Sequence, residues 1–219
     1  MYQVAYISDV VNDFYSKAHI IMSRRGRPIE YDPQTALAAA RDVFWATGFA
    51  ASSLDALSEA TGMNRPSLAG AFGDKEALYI ATLEQYRDAG VAALSEALNG
   101  SRPLSEELAD VYARSIDVYL GSQDAAKGCL LIGTASVEAV HRPTVRHVLA
   151  QSLEAFNAVI ERRLRKAIDD GELDRDADPA TLAAVASAVM HSLAVRARAG
   201  DPRSALEKLA RAAVALICK

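Results

Sequence analysis

Apolar residues recur along the chain at spacings of three and four, and strict alternation persists nowhere, so the pattern predicts helices and no strands. The first periodic segment, "DPQTALAAARDVFWATGF", starts with Asp32 as a candidate N-cap and Pro33 at the first helical position, where a missing N–H costs no hydrogen bond. Leu37, Ala40, Phe44 and Thr47 form its expected inner stripe, and Gly48 its expected stop. In "SSLDALSEATG", Ser53 is placed to cap, Asp55 and Glu59 face water, Leu54, Leu57 and Ala60 face inward, and Gly62 supplies a sharp turn. A short helix is predicted over 65–72, capped by Asn64 and ended by Gly73, with Leu68 and Phe72 turned to the core. Asp74 then caps "KEALYIATLEQYRDAGVAALSEALNG".

Longer helices follow. "LSEELADVYARSIDVYLG" precedes "CLLIGTASVEAV", which is apolar nearly all round and is expected at the centre. "RPTVRHVLAQSLEAFNAVIERRLRKAIDDGEL" is long and amphipathic. Asp178-Pro179 and Asp201-Pro202 each read as an N-cap with Pro at the first helical position. The expected fold class is all-α: an N-terminal three-helix helix-turn-helix domain, then a larger helical bundle. The expected division is 1–31 as an extension with a basic arm, 32–78 as the helix-turn-helix and 79–219 as the bundle. The boundary falls within a helix, so the two parts are coupled mechanically.

Bulk properties narrow the function. The 219 residues are 51% hydrophobic and 24% charged, as in ordinary globular proteins, with a formal net charge of −4. Bulk charge therefore does not attract a polyanion, and any nucleic-acid site must be a local basic patch. Two cysteines, Cys129 and Cys218, give neither a disulfide framework nor metal-ligand spacing, and fit a reducing cytoplasm. No apolar run is expected to span a bilayer. Residues 1–22 lack the basic start of a signal peptide, and Asp9 and Asp13 interrupt their apolar run. They read either as a loosely ordered extension or as sequence upstream of a natural start at Met22.

The unit over 53–75 has the form of a helix-turn-helix, which places its second helix in the major groove. Arg65 and Ser67 would then meet base edges, Arg65 donating a fork to guanine. Pro66, early in the helix where no N–H is missed, offers only apolar contact. Ser53 and Lys75 are candidate phosphate contacts, beside the capping Asn64. Short glycine-joined helices also occur in proteins that never touch DNA. The arm "SRRGRP" before the first helix tips the reading, because Arg24, Arg25 and Arg27 can enter a narrow minor groove.

The residues 39–86 resemble the N-terminal domain of the TetR family of transcriptional regulators. The resemblance lies in Ala40, Phe44 and Gly48, in the second helix "SLDALSEATGM", and in "FGDKEAL". It covers about a quarter of the chain. It implies a DNA-binding regulator, usually a repressor, that binds a roughly palindromic double-stranded operator as a homodimer and is released by a small-molecule effector. It further implies that 79–219 binds ligand and that its last two long helices dimerise. The family usually has an aromatic residue, most often tyrosine, where this chain has Ala69, and Gly70 follows. A glycine inside a helix costs about 1 kcal/mol relative to alanine. The resemblance therefore implies a weakened backbone contact at Ala69. The rival reading is a helical dimeric interaction protein with a decayed DNA site.

Polar or aromatic residues on apolar helices are the effector-site candidates: Tyr86, Tyr112, Tyr119, Cys129, Thr134, Glu138, Phe156, Met190 and His191. Each also fits plain packing, though a buried Glu138 or His191 needs a partner. Cys129 is a possible redox sensor, with inert packing as its default. An enzyme is not expected. Glu138 and His141 have the Glu-x-x-His spacing of di-metal bundles, but no second such pair exists. No metal or cofactor is expected, and no phosphate loop or nucleophile elbow is present.

Overall fold

The computed structural model describes residues 32–121 and 126–219. All their regular structure is helical: α1 (Pro33–Ala51), α2 (Leu54–Thr61), α3 (Arg65–Phe72), α4 (Lys75–Ala97), α5 (Leu104–Leu120), a π-helical turn (Leu131–Ala135) running into α6 (Ser136–Glu138), α7 (Pro143–Asp169), α8 (Pro179–Arg198) and α9 (Arg203–Ile217). The caps sit where their chemistry puts them. Asp32, Ser53, Asn64, Asp74 and Asp178 each accept from a backbone N–H in the first turn of the helix they precede. Helices α1–α3 pack as a compact unit on the start of α4, and α4 continues into the bundle of α5 and α7–α9.

Several expectations are corrected. Gly48 interrupts α1 as expected, with non-helical backbone at φ 77°, but one more turn follows and runs to Ala51. Thr47 points outward and bonds back to the Val43 carbonyl at 2.9 Å, while Trp45 and Phe49 are buried in its stead. In α2 only Leu57 is buried, and Leu54 and Ala60 are exposed, because a two-turn helix touches α1 along a single line. Asp201 is no cap: α9 starts after Pro202, and Asp201 pairs with Arg196 at 3.2 Å. The "CLLIGTASVEAV" segment is buried in its first half, but Val137 and Val140 are exposed. Helix α8 has the length and hydropathy of a membrane span, contrary to the expectation of none, yet it packs against α5, α7 and α9.

A buried ion cluster fixes the lower bundle. Arg163 on α7 donates through Nε to Glu107 Oε2 at 2.5 Å and through Nη2 to Glu172 Oε1 at 2.9 Å. Glu107 Oε1 accepts from the backbone N–H groups of Gly100 and Ser101 at 2.9 and 3.0 Å. Arg163 Nη2 also donates to the Arg102 carbonyl at 3.0 Å. One guanidinium thus ties the α4–α5 loop, α5 and the turn after α7. Removing one partner strands a charge out of water. Arg163→Ala is expected to lose about 3–5 kcal/mol in chemical denaturation, whereas the exposed pair Arg165–Glu161 should show little effect when broken.

Candidate DNA-reading surface and effector site

The reading unit is built by its caps. Gly62, at φ 67°, turns the chain from α2 towards α3. Asn64 Oδ1 accepts the Ser67 N–H at 2.9 Å, so the side chain is spent on starting α3. Ser53 Oγ accepts the Ala56 N–H at 3.0 Å and does the same for α2. Leu68 is buried beneath α3 and orients it. The opposite face is left to Arg65, Pro66, Ser67, Ala69, Gly70 and Ala71, all exposed. A β-carbon at Gly70 would meet nothing within 4 Å.

Two cations are placed differently from the expectation. Arg65 is exposed, but its Nε and Nη2 both donate to Asp55 Oδ1, at 3.0 and 2.6 Å. Lys75, expected as a phosphate contact, turns inward in this structure. Its ammonium donates to the Ser52 carbonyl at 2.5 Å and lies 4.6 Å from the centre of the Phe49 ring. Burial, followed by the nearby Arg142, lowers its pKa. Arg24, Arg25 and Arg27 lie outside the described residues. Residues 32–78 carry three basic side chains against six acidic ones, a formal balance of −3.

The unit is bonded to one segment of the bundle, 127–144. From α1, Trp45 Nε1 donates to the Lys127 carbonyl at 3.0 Å, and the indole meets Tyr86 edge-on at 5.1 Å. From α4, the Tyr79 hydroxyl pairs with Thr134 Oγ1 at 2.7 Å. Arg142 donates to Glu76 at 2.5 Å and to Glu138 at 3.1 Å, and its guanidinium lies 4.2 Å from the Phe49 ring centre. Thr144 also donates to Glu76. That hydroxyl first, then Arg142, holds the Glu76 carboxyl below its ordinary value. Sequence reasoning singled out Thr134 and Glu138 here and missed Trp45, Tyr79, Glu76, Arg142 and Thr144. The one available signal was the chain's single tryptophan.

The effector candidates converge only in part. Tyr86, Tyr119 and Cys129 come together, with the Tyr86 hydroxyl 3.5 Å from the Cys129 sulfur. Burial raises both phenols and the thiol above their ordinary values. Tyr112 donates to the Ala186 carbonyl at 3.2 Å, deep between α5 and α8. Phe156 lies over Gly90, where a β-carbon would come within 2.6 Å of its ring. Met190 packs at the edge of the core. His191 lies 3.5 Å from Ser187, and burial lowers its pKa. Glu138 is committed to Arg142. A cavity of about 230 Å³ lies between 128–133 and the end of α8, lined by Cys129, Ile132, Gly133, Ala194, Val195 and Arg198 among others. Cys129 is the one candidate it includes.

Glu76 ties a pH response to this docking. Its folded pKa is depressed, so its contribution is present above the ordinary carboxylate value and is lost as pH falls through the folded one. Trp45 fluorescence should stay constant from neutral pH down to about 4.3, the ordinary Glu value, and change only below it. Glu76→Ala should show the altered emission at neutral pH.

Comparison with known proteins agrees with this geometry. The profile described as "Bacterial regulatory proteins, tetR family" matches residues 36–82, and "Tetracyclin repressor-like, C-terminal domain" matches residues 106–213. The HTH-type transcriptional repressor ComR of Escherichia coli (strain K12) is 31% identical over 195 residues, covering 86% of this chain and 89% of that protein. The HTH-type transcriptional repressor BdcR of the same organism is 32% identical over 136 residues, 62% of this chain and 66% of its own. Among solved structures, the regulator CifR in complex with 26-bp operator DNA superposes with a TM-score of 0.74 at 31% identity, covering 86% of this chain and 98% of that one. FadR of Bacillus subtilis, solved with stearoyl-CoA, shares the fold at 16% identity and a TM-score of 0.71, covering 86% of this chain and 98% of its own. These relatives are transcriptional regulators rather than enzymes. The chain belongs to the TetR family of DNA-binding transcriptional regulators.

Proposed function

We propose that the chain is a ligand-responsive repressor that binds a palindromic operator as a homodimer in the cytoplasm, without enzymatic activity. Carrying this reading is one observation: α3 is exposed and capped, and its unit is hydrogen-bonded through Trp45, Tyr79 and Glu76 to the segment that walls the cavity. The ComR and BdcR resemblances support the repressor sense, and the CifR–operator complex supports the DNA partner.

In this reading 1–31 supplies the arm, 32–78 reads DNA, and 79–219 senses and dimerises. Arg65 and Ser67 meet base edges, Pro66 and Ala69 make apolar contacts, and Ser53 and the Asn64 amide lie beside phosphates. The three cations of 32–78 are engaged within the protein, so Arg24, Arg25 and Arg27 supply most of the phosphate neutralisation. Helices α8 and α9 present Val185, Val195 and Leu216 outward, and these form the dimer face. A small, fairly apolar effector that shifts 127–144 moves Trp45, Tyr79 and Glu76 with it. Half-sites lie about 34–36 Å apart along the duplex, so a changed spacing of the two α3 helices costs affinity.

Selection of bound sequences from random DNA tests the reading. A palindrome should be enriched; no enrichment would return the chain to the rival reading of a helical interaction protein. Replacing Arg24, Arg25 and Arg27 by alanine should flatten the salt dependence, with a slope change of about 0.9 per lost phosphate contact. Ala69→Tyr should tighten operator binding at matched salt, and unchanged or weaker binding would refute the weakened-contact account.

A further inference from the structure

We infer that Asp55 is a specificity-determining residue: its carboxylate presents one edge of Arg65 to the bases and keeps the reading surface from holding DNA of arbitrary sequence. The inference rests on the reading of Arg65 as a base contact. A guanidinium offers two hydrogen-bonding edges suited to a forked partner. In this protein the Nε–Nη2 edge is occupied, both donors meeting Asp55 Oδ1 at 3.0 and 2.6 Å. The outer Nη1–Nη2 edge remains, on a side chain that is 58% exposed. That is the edge whose two parallel N–H groups match O6 and N7 of guanine.

The two residues are brought together by the fold. Asp55 lies in the first turn of α2, two residues after the Ser53 cap, where the helix end favours a negative charge. Arg65 opens α3. The turn at Gly62 brings the two helix starts side by side, ten residues apart in sequence. Arg65 without its partner would be a long, mobile cation, able to pair with any phosphate in reach. Held by Asp55, it loses much of that freedom before DNA arrives and carries no net charge as a pair. Asp55 also places a carboxylate on the face turned to the duplex, within a unit whose formal balance is already −3. A phosphate that offers nothing but charge is repelled, while a guanine in the right place still finds the free edge.

Three variants of the full-length protein separate these effects, each measured against operator, operator changed at one base pair, and random DNA. Asp55→Asn should raise affinity for random DNA several-fold, by removing a unit of like charge. It should also reduce discrimination at one guanine per half-site by about tenfold. Asp55→Glu keeps the charge but displaces it, so affinity for random DNA should stay low while discrimination falls in part. Asp42→Asn removes the same charge from α1, where Asp42 pairs with Arg41, and should leave discrimination intact. Retained discrimination in Asp55→Asn, or an equal loss in Asp42→Asn, overturns the inference. If Arg65→Ala binds operator as well as the parent, the reading of Arg65 as a base contact fails, and the inference with it.

Discussion

Arg142 is the constraint on which the working geometry depends. Its guanidinium reaches from the start of α7 to a carboxylate on α4, a carboxylate on α6 and the face of Phe49 from the end of α1. Lys75 lies against the same ring. The pair with Glu76 is neither fully solvated nor fully buried, with side-chain exposures of 34% and 30%. Its worth therefore lies in direction more than in strength. Glu76 belongs to the first turn after α3, so the position of that helix is referred directly to the 127–144 segment. The linkage is short and has no flexible spacer.

The local parts of this design are legible in the sequence. Helix starts at Asp32, Ser53, Asn64, Asp74 and Asp178 follow from side chains that reach only two or three residues ahead, and that chemistry depends on nothing distant. The same local rule misjudged Asp201, whose carboxylate found Arg196 on the preceding helix. Inner stripes were less legible where a helix is short, since Leu54 and Ala60 have the right period but no neighbour to cover them. The site residues divide in the same way. The exposure of Arg65 and Ser67 in the first turn follows from their positions after Asn64. The roles of Trp45, Tyr79, Arg142 and Thr144 depend on partners 55 to 82 residues away for the first three contacts and 68 for the last. No spacing rule reaches so far. Lys75 is alike in this: its contacts to the Ser52 carbonyl and the Phe49 ring lie outside any local rule.

The bundle has a second polar centre, independent of the first. Glu107, Arg163 and Glu172 hold the α4–α5 loop against α7, with Glu107 and Arg163 almost wholly out of water. A cluster of this kind is weak support for stability compared with apolar packing, yet it tolerates few alternative arrangements. It fixes the register of α5 against α7, whereas the cavity lies between the segment 128–133 and the end of α8. The bundle thus combines a polar centre that holds its helices in register with a π-helical turn beside the cavity, a form of helix with looser geometry that is often found where movement or binding occurs.

The outward face of α3 carries only Ala69, Gly70 and Ala71 beyond its first turn, and the space around Gly70 is open. Leu68, beneath, does the holding. A side chain can therefore be added at Gly70 without disturbing a packed neighbour. In evolutionary terms this face is uncommitted: substitutions on one side of one helix can change what it presents, while the buried Leu68 beneath it and the bonds to 127–144 stay as they are.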